Sequence, residues 1–235
     1  DPPHRVILRA DPACLDLVEL LRHGAPTGPL DVAGQRLVHE LRAAGLLVDQ
    51  DAPTAVGRTV TVLDHGFEGA DRLTGLLTRA GLVVTDRLTG RPDLPDLVVL
   101  CSTGPLPRAV VDPWLAEGTP HLVLCGTGHP GSLRVGPLVQ PGSTACLRCV
   151  DAAEAVDDPR RPVLVEQLAT RPAAPVDPLT LEMATAWAAR DAVAFLAGRA
   201  AATWSATLEA QAGVPAARAW SRHPDCGCCW DELPY

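Results

Sequence analysis

The fold of this chain is decided by the stretch Thr59-Val-Thr-Val-Leu-Asp64-His-Gly-Phe-Glu-Gly69. Its β-branched first half, Thr59 to Leu63, is typical of a strand, and the glycines that follow indicate a tight turn. A helix is predicted from Gly69 to Ala80, and after Gly81 a second strand is predicted from Leu82 to Thr85. A strand, a helix and a strand in this order predict a βαβ unit, in which the two strands run parallel.

Further apolar runs along the chain extend this sheet. Leu97 to Cys101 and His121 to Leu124 have the continuous apolar character of buried parallel strands, and Pro107 to Gly118 predicts a helix between them. Val135 to Val139 is expected to add a strand at the edge of the sheet. Residues 53–235 therefore predict an α/β domain of Rossmann-like type with a mainly parallel sheet.

The segment from Asp157 to Pro178 leads from this sheet to the clearest predicted helix. It holds five prolines, so an extended crossover loop is expected. Asp177 and Pro178 then open a helix that Gly198 closes, and its apolar residues include Trp187. This helix could contribute to a homodimer interface, but packing in the core is the simpler expectation for Trp187.

Residues 1–52 predict a separate small α+β domain. Arg5 to Arg9 alternates like a strand, a helix follows, a second helix is predicted from Val32 to Ala44, and a short strand comes after it. A strand, helices and a strand are the outline of a winged helix, here a truncated one. The segment from Asp49 to Gly57 has the composition of a linker, so the domain boundary is expected between residues 52 and 53.

Composition disfavours several classes of function. The net charge is −8, so the chain lacks the basic field that binds a nucleic-acid backbone or an anionic membrane surface. No apolar run approaches the roughly 20 residues that span a membrane, and no export signal stands out, so we expect a cytoplasmic location. All 20 basic residues are arginines, and lysine and asparagine are absent. A mechanism that needs a lysine or an asparagine of this chain is therefore excluded.

Five of the eight cysteines lie in two tight groups, Cys146-Leu-Arg-Cys149 and Cys226-Gly-Cys228-Cys229. Two cysteine pairs joined by a long connection are typical of a tetrahedral structural zinc site, because each pair offers two thiolates from one turn. Cys146, Cys149 and Cys226 are the expected first three ligands. The C-x-x-C spacing favours Cys229 as the fourth ligand, and Cys228 is the alternative.

Other cysteine and histidine chemistry is less favoured. His223 could compete for zinc, but with three cysteines beside it a hydrogen-bonding role fits better. A catalytic zinc would need an open position and a nearby general base, and no histidine-glutamate pairing between the cysteine groups offers one. Cys101 and Cys125 lie singly in apolar runs, which is typical of reduced buried thiols rather than nucleophiles.

The turn after the first predicted strand is where a doubly wound fold binds phosphate, because free backbone amides point there. Gly66 and Gly69 fit a G-x-G-x-x-G pattern, but Asp64 stands at its first position, and Phe67 and Glu68 fill its centre. A carboxylate about 4 Å from a phosphate charge costs on the order of 4 kcal/mol at an effective dielectric of about 20. We therefore regard this as a degenerate nucleotide loop and expect no ATP.

A crossover and the second cysteine group follow the run Gly136-Pro-Leu-Val-Gln-Pro-Gly-Ser-Thr-Ala-Cys-Leu-Arg-Cys149. In this arrangement the chain resembles the ThiF-type, ubiquitin-activating-like proteins, which carry a structural four-cysteine zinc. With its opening Asp1-Pro-Pro-His-Arg-Val-Ile-Leu-Arg9 and its closing Arg222-His-Pro-Asp-Cys-Gly-Cys228, it is similar to the leader-peptide-binding proteins of thiazole/oxazole-modified peptide pathways. In those proteins a winged-helix recognition element precedes a ThiF-like domain that supports a YcaO-type cyclodehydratase.

The resemblance also implies what this chain lacks. Adenylating members of the family carry a glycine-rich loop, a lysine and an arginine for the phosphates, an asparagine, and an acidic residue that holds magnesium. Here the loop is degraded, lysine and asparagine are absent, and the strand end that should bear the acid is Cys101-Ser-Thr-Gly104. The resemblance therefore implies an inactive relative of an adenylating enzyme.

Without catalysis, the function would lie in peptide recognition. A flexible leader peptide can pair its backbone with the edge of a short sheet while its apolar side chains fill the adjacent helix groove. The expected edge consists of Arg5, Val6, Ile7, Leu8 and Arg9. Leu37 and Leu41 are expected beneath it, although the same residues would also serve an ordinary core. The chain would then present a precursor peptide to a partner enzyme.

Two other functions remain as alternatives. An ATP-dependent enzyme that adenylates a peptide or a small carboxylate would require nucleotide-dependent pyrophosphate exchange. A winged-helix regulator would require DNA binding at moderate salt, which the acidic composition opposes.

Overall fold

The chain is described by a computed structural model over residues 12–23, 30–43, 54–85, 94–211 and 215–228. The chain forms two compact units, Asp1–Pro53 and Thr54–Tyr235. In the first unit two helices are described, α1 (Pro12–His23) and α2 (Val32–Ala43). The strand predicted at Arg5 to Arg9 lies outside the described residues, so the winged-helix assignment stays a prediction.

The second unit is built on one sheet of seven strands. They are β1 (Thr59–Asp64), β2 (Val83–Thr85), β3 (Leu97–Cys101), β4 (His121–Gly126), β5 (Leu133–Val139), β6 (Ala206–Ala210) and β7 (Ala216–Ala219). Their order across the sheet is β2-β1-β3-β4-β5-β6-β7. The βαβ unit predicted from residue 59 to residue 85 is confirmed by the parallel pairing of β1 with β2.

The sheet is mixed, and the expectation of a mainly parallel sheet holds for only one half of it. β2, β1, β3 and β4 run parallel, whereas β5, β6 and β7 each run antiparallel to the strand before them in the order. The connection from β4 to β5 is too short for a crossover, which needs a dozen or more residues, so β5 must turn back. The prediction of Val135 to Val139 as an edge strand was wrong, because β6 and β7 continue the sheet beyond it.

Five α-helices and one 3-10 helix accompany the sheet among the described residues of this unit. They are α3 (Ala70–Arg79), α4 (Arg108–Ala116), α5 (Leu147–Glu154), α6 (Arg161–Ala169), α7 (Pro178–Leu196) and the 3-10 helix Pro224–Cys226. α6 lies inside the segment predicted as a loop, which corrects that prediction. Pro162 occupies the first turn of α6, where a proline fits without breaking the helix.

The core lies on both faces of the sheet, because the strand side chains alternate. α3 and α7 cover one face, where Leu73 and Leu77 pack with Ala184 and Ala188, and Trp187 packs against the edge of this cluster. α4 covers the other face with Val111 and Trp114. Where the chain is described, no helix combines the length and apolarity needed to cross a membrane.

Candidate functional site

Four cysteine sulfurs of the second unit meet at the start of α5. They belong to Cys146, Cys149, Cys226 and Cys228, and they all lie within 4.8 Å of one another. Cys146 is the N-cap residue of α5, Cys149 lies in the first turn of this helix, and Cys226 ends the 3-10 helix. Two segments that are far apart in the sequence therefore come together at one point.

The geometry of these sulfurs fits a metal ion. The separations are 3.7 Å for Cys146–Cys149, 3.1 Å for Cys149–Cys226, 3.4 Å for Cys149–Cys228 and 2.8 Å for Cys226–Cys228. A tetrahedral ion with metal–sulfur bonds of about 2.3 Å would set these separations at about 3.8 Å, so the sulfurs need only a small outward shift. Four cysteines of this kind can hold zinc or iron.

Main-chain amides also point at the sulfurs. The amide of His223 donates a hydrogen bond to Cys149 Sγ, and the amide of Cys228 donates one to Cys226 Sγ, both at 3.3 Å. A hydrogen bond from the Cys146 thiol lowers the pKa of Cys149 below that of an ordinary thiol, which favours its thiolate. The same hydrogen bond raises the pKa of Cys146, so the thiolate, which is the form that binds metal, is favoured at Cys149.

The sequence leaves two candidates for the fourth ligand, Cys228 and Cys229. The described cluster contains Cys228, the alternative, whereas Cys229, which the spacing favours, lies outside the described residues. Cys146 and Cys149 are fully buried, while Cys226 and Cys228 are half-buried. The two more exposed sulfurs therefore belong to the carboxyl-terminal group, and the choice between Cys228 and Cys229 concerns this group.

Arginine–carboxylate pairs join α5 to neighbouring elements. Arg108 of α4 binds Asp151 through two hydrogen bonds of 2.5 and 2.6 Å, and Arg134 of β5 binds Glu154 at 2.6 Å. The exposed pair Arg148–Asp112 joins α5 to α4 a second time. Asp151 and Glu154 are three residues apart and thus share a face of the helix, but the sequence does not reveal which arginines they bind.

The candidate nucleotide loop lies at the end of β1, where the sequence placed it. Asp64 ends β1, Gly66 has a φ of +83°, and Gly69 is the N-cap residue of α3. The main-chain amide of Phe67 donates to Asp64 Oδ1 at 2.7 Å, and the amide of Glu68 donates to Thr103 Oγ1 at 3.1 Å. These two amides, which a phosphate would need, already have partners within the protein.

The loop after β3 closes against this turn. The amide of His65 donates to the carbonyl oxygen of Cys101 at 2.8 Å, and the amide of Thr103 donates to that of Gly66 at 3.2 Å. A Cβ atom at Gly69 would lie 2.7 Å from the Phe67 ring and 2.8 Å from Thr185 Oγ1 of α7. In the described residues, internal contacts therefore join the turn after β1 to the loop after β3, at the crevice where doubly wound folds bind ligands.

A cavity of about 210 Å³ lies one strand further along, at the carboxyl ends of β3 and β4. Gly104, Gly126 and Gly128 contribute to its lining, and so do Leu168, residues 171–174 and Val176. A Cβ atom at Gly128 would lie 2.9 Å from Leu168 Cδ1, so the absence of a side chain there makes room for Leu168. No sequence pattern indicated this cavity, because it forms where residues distant in the chain pack together.

The single cysteines lie in the core. Cys101 is fully buried, and desolvation raises its pKa to about 12. Cys125 is also buried, and desolvation raises its pKa above the ordinary value. Neither thiol is in the ionised form that acts as a nucleophile near neutral pH.

The residues predicted for peptide binding are only partly described. Leu37 is buried on α2 and Leu41 is partly buried on the same helix. The remaining candidates, Arg5 to Arg9, lie outside the described residues. The helix positions are thus located, and the groove remains a prediction.

The sequence matches no protein-family model and no curated protein. Solved structures match by their fold. The heterocyclase TruD aligns with a TM-score of 0.62 over 90% of this chain and 35% of its own, at 21% identity. MccB of E. coli aligns with a TM-score of 0.61 over 86% of this chain and 81% of its own, at 10% identity, and has also been solved with ATP. A chain of the E. coli microcin synthetase McbBCD complex aligns with a TM-score of 0.55 over 95% of this chain and 93% of its own, at 10% identity.

This chain shares their fold. It spans about a third of the length of TruD. At these sequence identities the structural similarity shows the fold alone, and an activity can be inferred only from the residues of this chain.

Proposed function

We propose that this chain is a non-catalytic binding protein that presents a ribosomal precursor peptide to a partner modifying enzyme of the YcaO cyclodehydratase type. The proposal combines the ThiF-type resemblance of the sequence with the structural likeness to proteins of heterocycle and microcin biosynthesis. It gives the first unit the recognition of the leader peptide, and it gives the second unit a supporting role.

The observation that most directly supports a non-catalytic role is the closed turn after β1. The amides of Phe67 and Glu68 are used by Asp64 and Thr103, and replacing those partners by phosphate would leave the Asp64 carboxylate facing another anion. The chain also has no lysine with which to offset that charge. A triphosphate would thus meet repulsion where a nucleotide-binding member of this fold offers attraction.

The four-cysteine cluster is proposed as a structural zinc site. Its two half-buried members come from the carboxyl-terminal segment, so an ion would tie that segment to α5. Structural zinc contributes on the order of 10–16 kcal/mol of apparent folding free energy in zinc-finger peptides. Metal analysis of the purified chain should find about one zinc per chain.

Peptide binding is tested with the full chain and a labelled leader peptide encoded beside its gene. Fluorescence anisotropy should yield saturable binding that Ile7→Pro weakens, because proline removes a backbone donor and cannot pair within a strand. The control is Val156→Ala, at an exposed position of the second unit. A proline at Val163 is not used as the control, because it would disturb α6. Equal affinity of all three proteins would contradict the placement of the peptide on the strand predicted at Arg5 to Arg9.

ATP-dependent adenylation is the second candidate, since MccB shares this fold and has been solved with ATP. The two candidates differ in pyrophosphate exchange, which the enzyme would catalyse in the presence of its peptide and which the binding protein would not. Exchange above the buffer background, abolished by removal of the peptide, would favour the enzyme.

A further inference from the structure

The cavity beside β3 and β4 is lined in part by a segment that has few attachments of its own. We call residues 161–176, which comprise α6 and the extended chain after it, the strap. Only Val165 of α6 is buried among the apolar residues, while Val163 and Leu164 are exposed. Within the described residues, the main chain of residues 172–176 makes no hydrogen bond to the sheet.

Two polar contacts fasten α6 to its surroundings. Arg161 at its start pairs with Glu154, the last residue of α5. Glu166 in its second half accepts a hydrogen bond of 3.0 Å from the main-chain amide of Arg108. The Arg108 side chain is itself bound to Asp151 of α5. The first contact therefore joins α6 to α5 directly, and the second joins it to the start of α4, whose Arg108 side chain is bound to α5.

α5 is a short helix whose two ends serve different partners. It has eight residues, which is too few for a helix to be stable in water without tertiary contacts. Its first turn carries Cys146 and Cys149 of the four-sulfur cluster, and its last residue carries Glu154. A metal ion at the cluster would fix the first turn, and the rigid helix would carry that constraint to Glu154.

We propose that the metal centre holds the strap closed over the cavity, so that loss of the metal opens access to it. The chain of contacts runs from the four sulfurs through α5 to the pair Glu154–Arg161, and from there through α6 to Leu168 on Gly128. The proposal is independent of peptide binding by the first unit. It depends on metal binding at the cluster, which is measured first.

The test is hydrogen–deuterium exchange of the full chain, read by mass spectrometry on peptides that cover α5, α6 and α3. Zinc content is determined before the experiment, and the metal is then removed with a chelator. We expect exchange to accelerate about tenfold or more in α6 as well as in α5, while α3 on the other face of the sheet keeps its rate. Acceleration that stops at α5 and the 3-10 helix would overturn the proposal, and a protein without metal would overturn its premise.

A variant separates the strap from the metal. Arg161→Gln removes the α6 end of the contact and leaves the pair of Glu154 with Arg134 in place. It should accelerate exchange in α6 with the zinc content unchanged. The matched control is Arg160→Gln, because the Arg160 side chain is 84% exposed and, in the described part of the chain, pairs with the nearby Asp158. If the two variants exchange alike in α6, the Glu154–Arg161 contact does not hold the strap.

Discussion

Cys228 and Cys229 are adjacent in the chain, yet a four-sulfur site with Cys146, Cys149 and Cys226 needs only one of them. In the described cluster Cys228 fills the fourth position, and its amide also donates to Cys226 Sγ. Cys228 thus provides both a sulfur and a main-chain amide to the same cluster.

We therefore predict that Cys228→Ser weakens zinc binding and Cys229→Ser does not. Loss of one thiolate ligand should lower zinc affinity by more than about 100-fold, beyond what changes around the ligands cost. Competition with a chromophoric chelator measures this directly. Cys14→Ser on α1 is the matched control, since Cys14 lies outside the cluster. Retention of zinc by Cys228→Ser together with its loss from Cys229→Ser would assign the fourth ligand to Cys229.

His121 is a buried base at the start of β4. It is fully buried, its Nδ1 lies 3.0 Å from the carbonyl oxygen of Thr119, and Nε2 has no partner among the described atoms. The carbonyl can only accept, so Nδ1 carries the proton of a neutral ring. Desolvation lowers the pKa of His121 to about 4.

This shift predicts a loss of stability in mild acid. The unfolded chain takes up the proton near its ordinary pKa of about 6.5, whereas the folded chain does so only near about 4. The contribution of His121 is therefore full above the unfolded pKa and falls as the pH drops toward 4, by about 2 kcal/mol between pH 7 and pH 4.5. Urea unfolding at the two pH values should give a smaller pH dependence for His121→Gln than for the parent chain. His129→Gln, at an exposed position, should leave the dependence unchanged, and an equal dependence in all three proteins would contradict a neutral His121.

At the scale of elements, α4 and α5 are joined by two ion pairs of similar geometry and different environment. Side chains of the pair Arg108–Asp151 are 7% and 11% exposed, and those of the pair Arg148–Asp112 are 46% and 40% exposed. An unpaired charge is costly only where water cannot reach it. The two pairs thus provide an internal comparison at one helix interface.

Asp151→Asn should destabilise the chain by about 3 kcal/mol, because it leaves the buried Arg108 guanidinium without its counter-charge. Asp112→Asn, the matched control on the exposed pair, should cost less than about 1 kcal/mol. The midpoints of urea unfolding measure both values under the same conditions. Similar costs for the two variants would mean that water reaches the Arg108 side chain.

The elements also explain what the sequence could predict. β1, α3, β2 and the start of α7 at Asp177 were predicted, because β-branched runs, glycine stops and a capping aspartate act locally. α6 was missed because the five prolines of the segment from Asp157 to Pro178 suggested a loop, and the exposed valine and leucine of α6 form no single apolar face. β6 and β7 were missed because short alanine-rich segments have little intrinsic strand preference, and they become strands by pairing, β6 with β5 and β7 with β6.

The candidate site was predictable to the same limited depth. Cysteine spacing identified the two groups that meet in the cluster, because two cysteines within one turn can offer their sulfurs to the same ion. The sequence did not show that the main-chain amides of the turn after β1 have partners within the protein, because Thr103, which accepts from the amide of Glu68, follows a different strand. Ion pairs of α5 were hidden for the same reason, as each joins residues that are distant in the chain.

At the scale of the whole molecule, the four-cysteine cluster, the sheet and the apolar core on the two faces of the sheet belong to the unit Thr54–Tyr235. The helices α1 and α2, with the residues proposed for peptide binding, belong to the unit Asp1–Pro53. Folding and recognition are therefore assigned to different parts of the chain.

This division predicts that residues 54–235 fold alone, bind zinc and fail to bind the leader peptide. The fragment keeps every strand of the described sheet and all four sulfurs of the cluster, so it should unfold cooperatively in urea and hold about one zinc per chain, as the full protein should. Anisotropy with the leader peptide should show saturable binding for the full chain and none for the fragment, because the proposed sheet edge is removed. A folded, zinc-loaded fragment that still binds the peptide would move recognition to the second unit, and a fragment that fails to fold would show that the second unit needs the first.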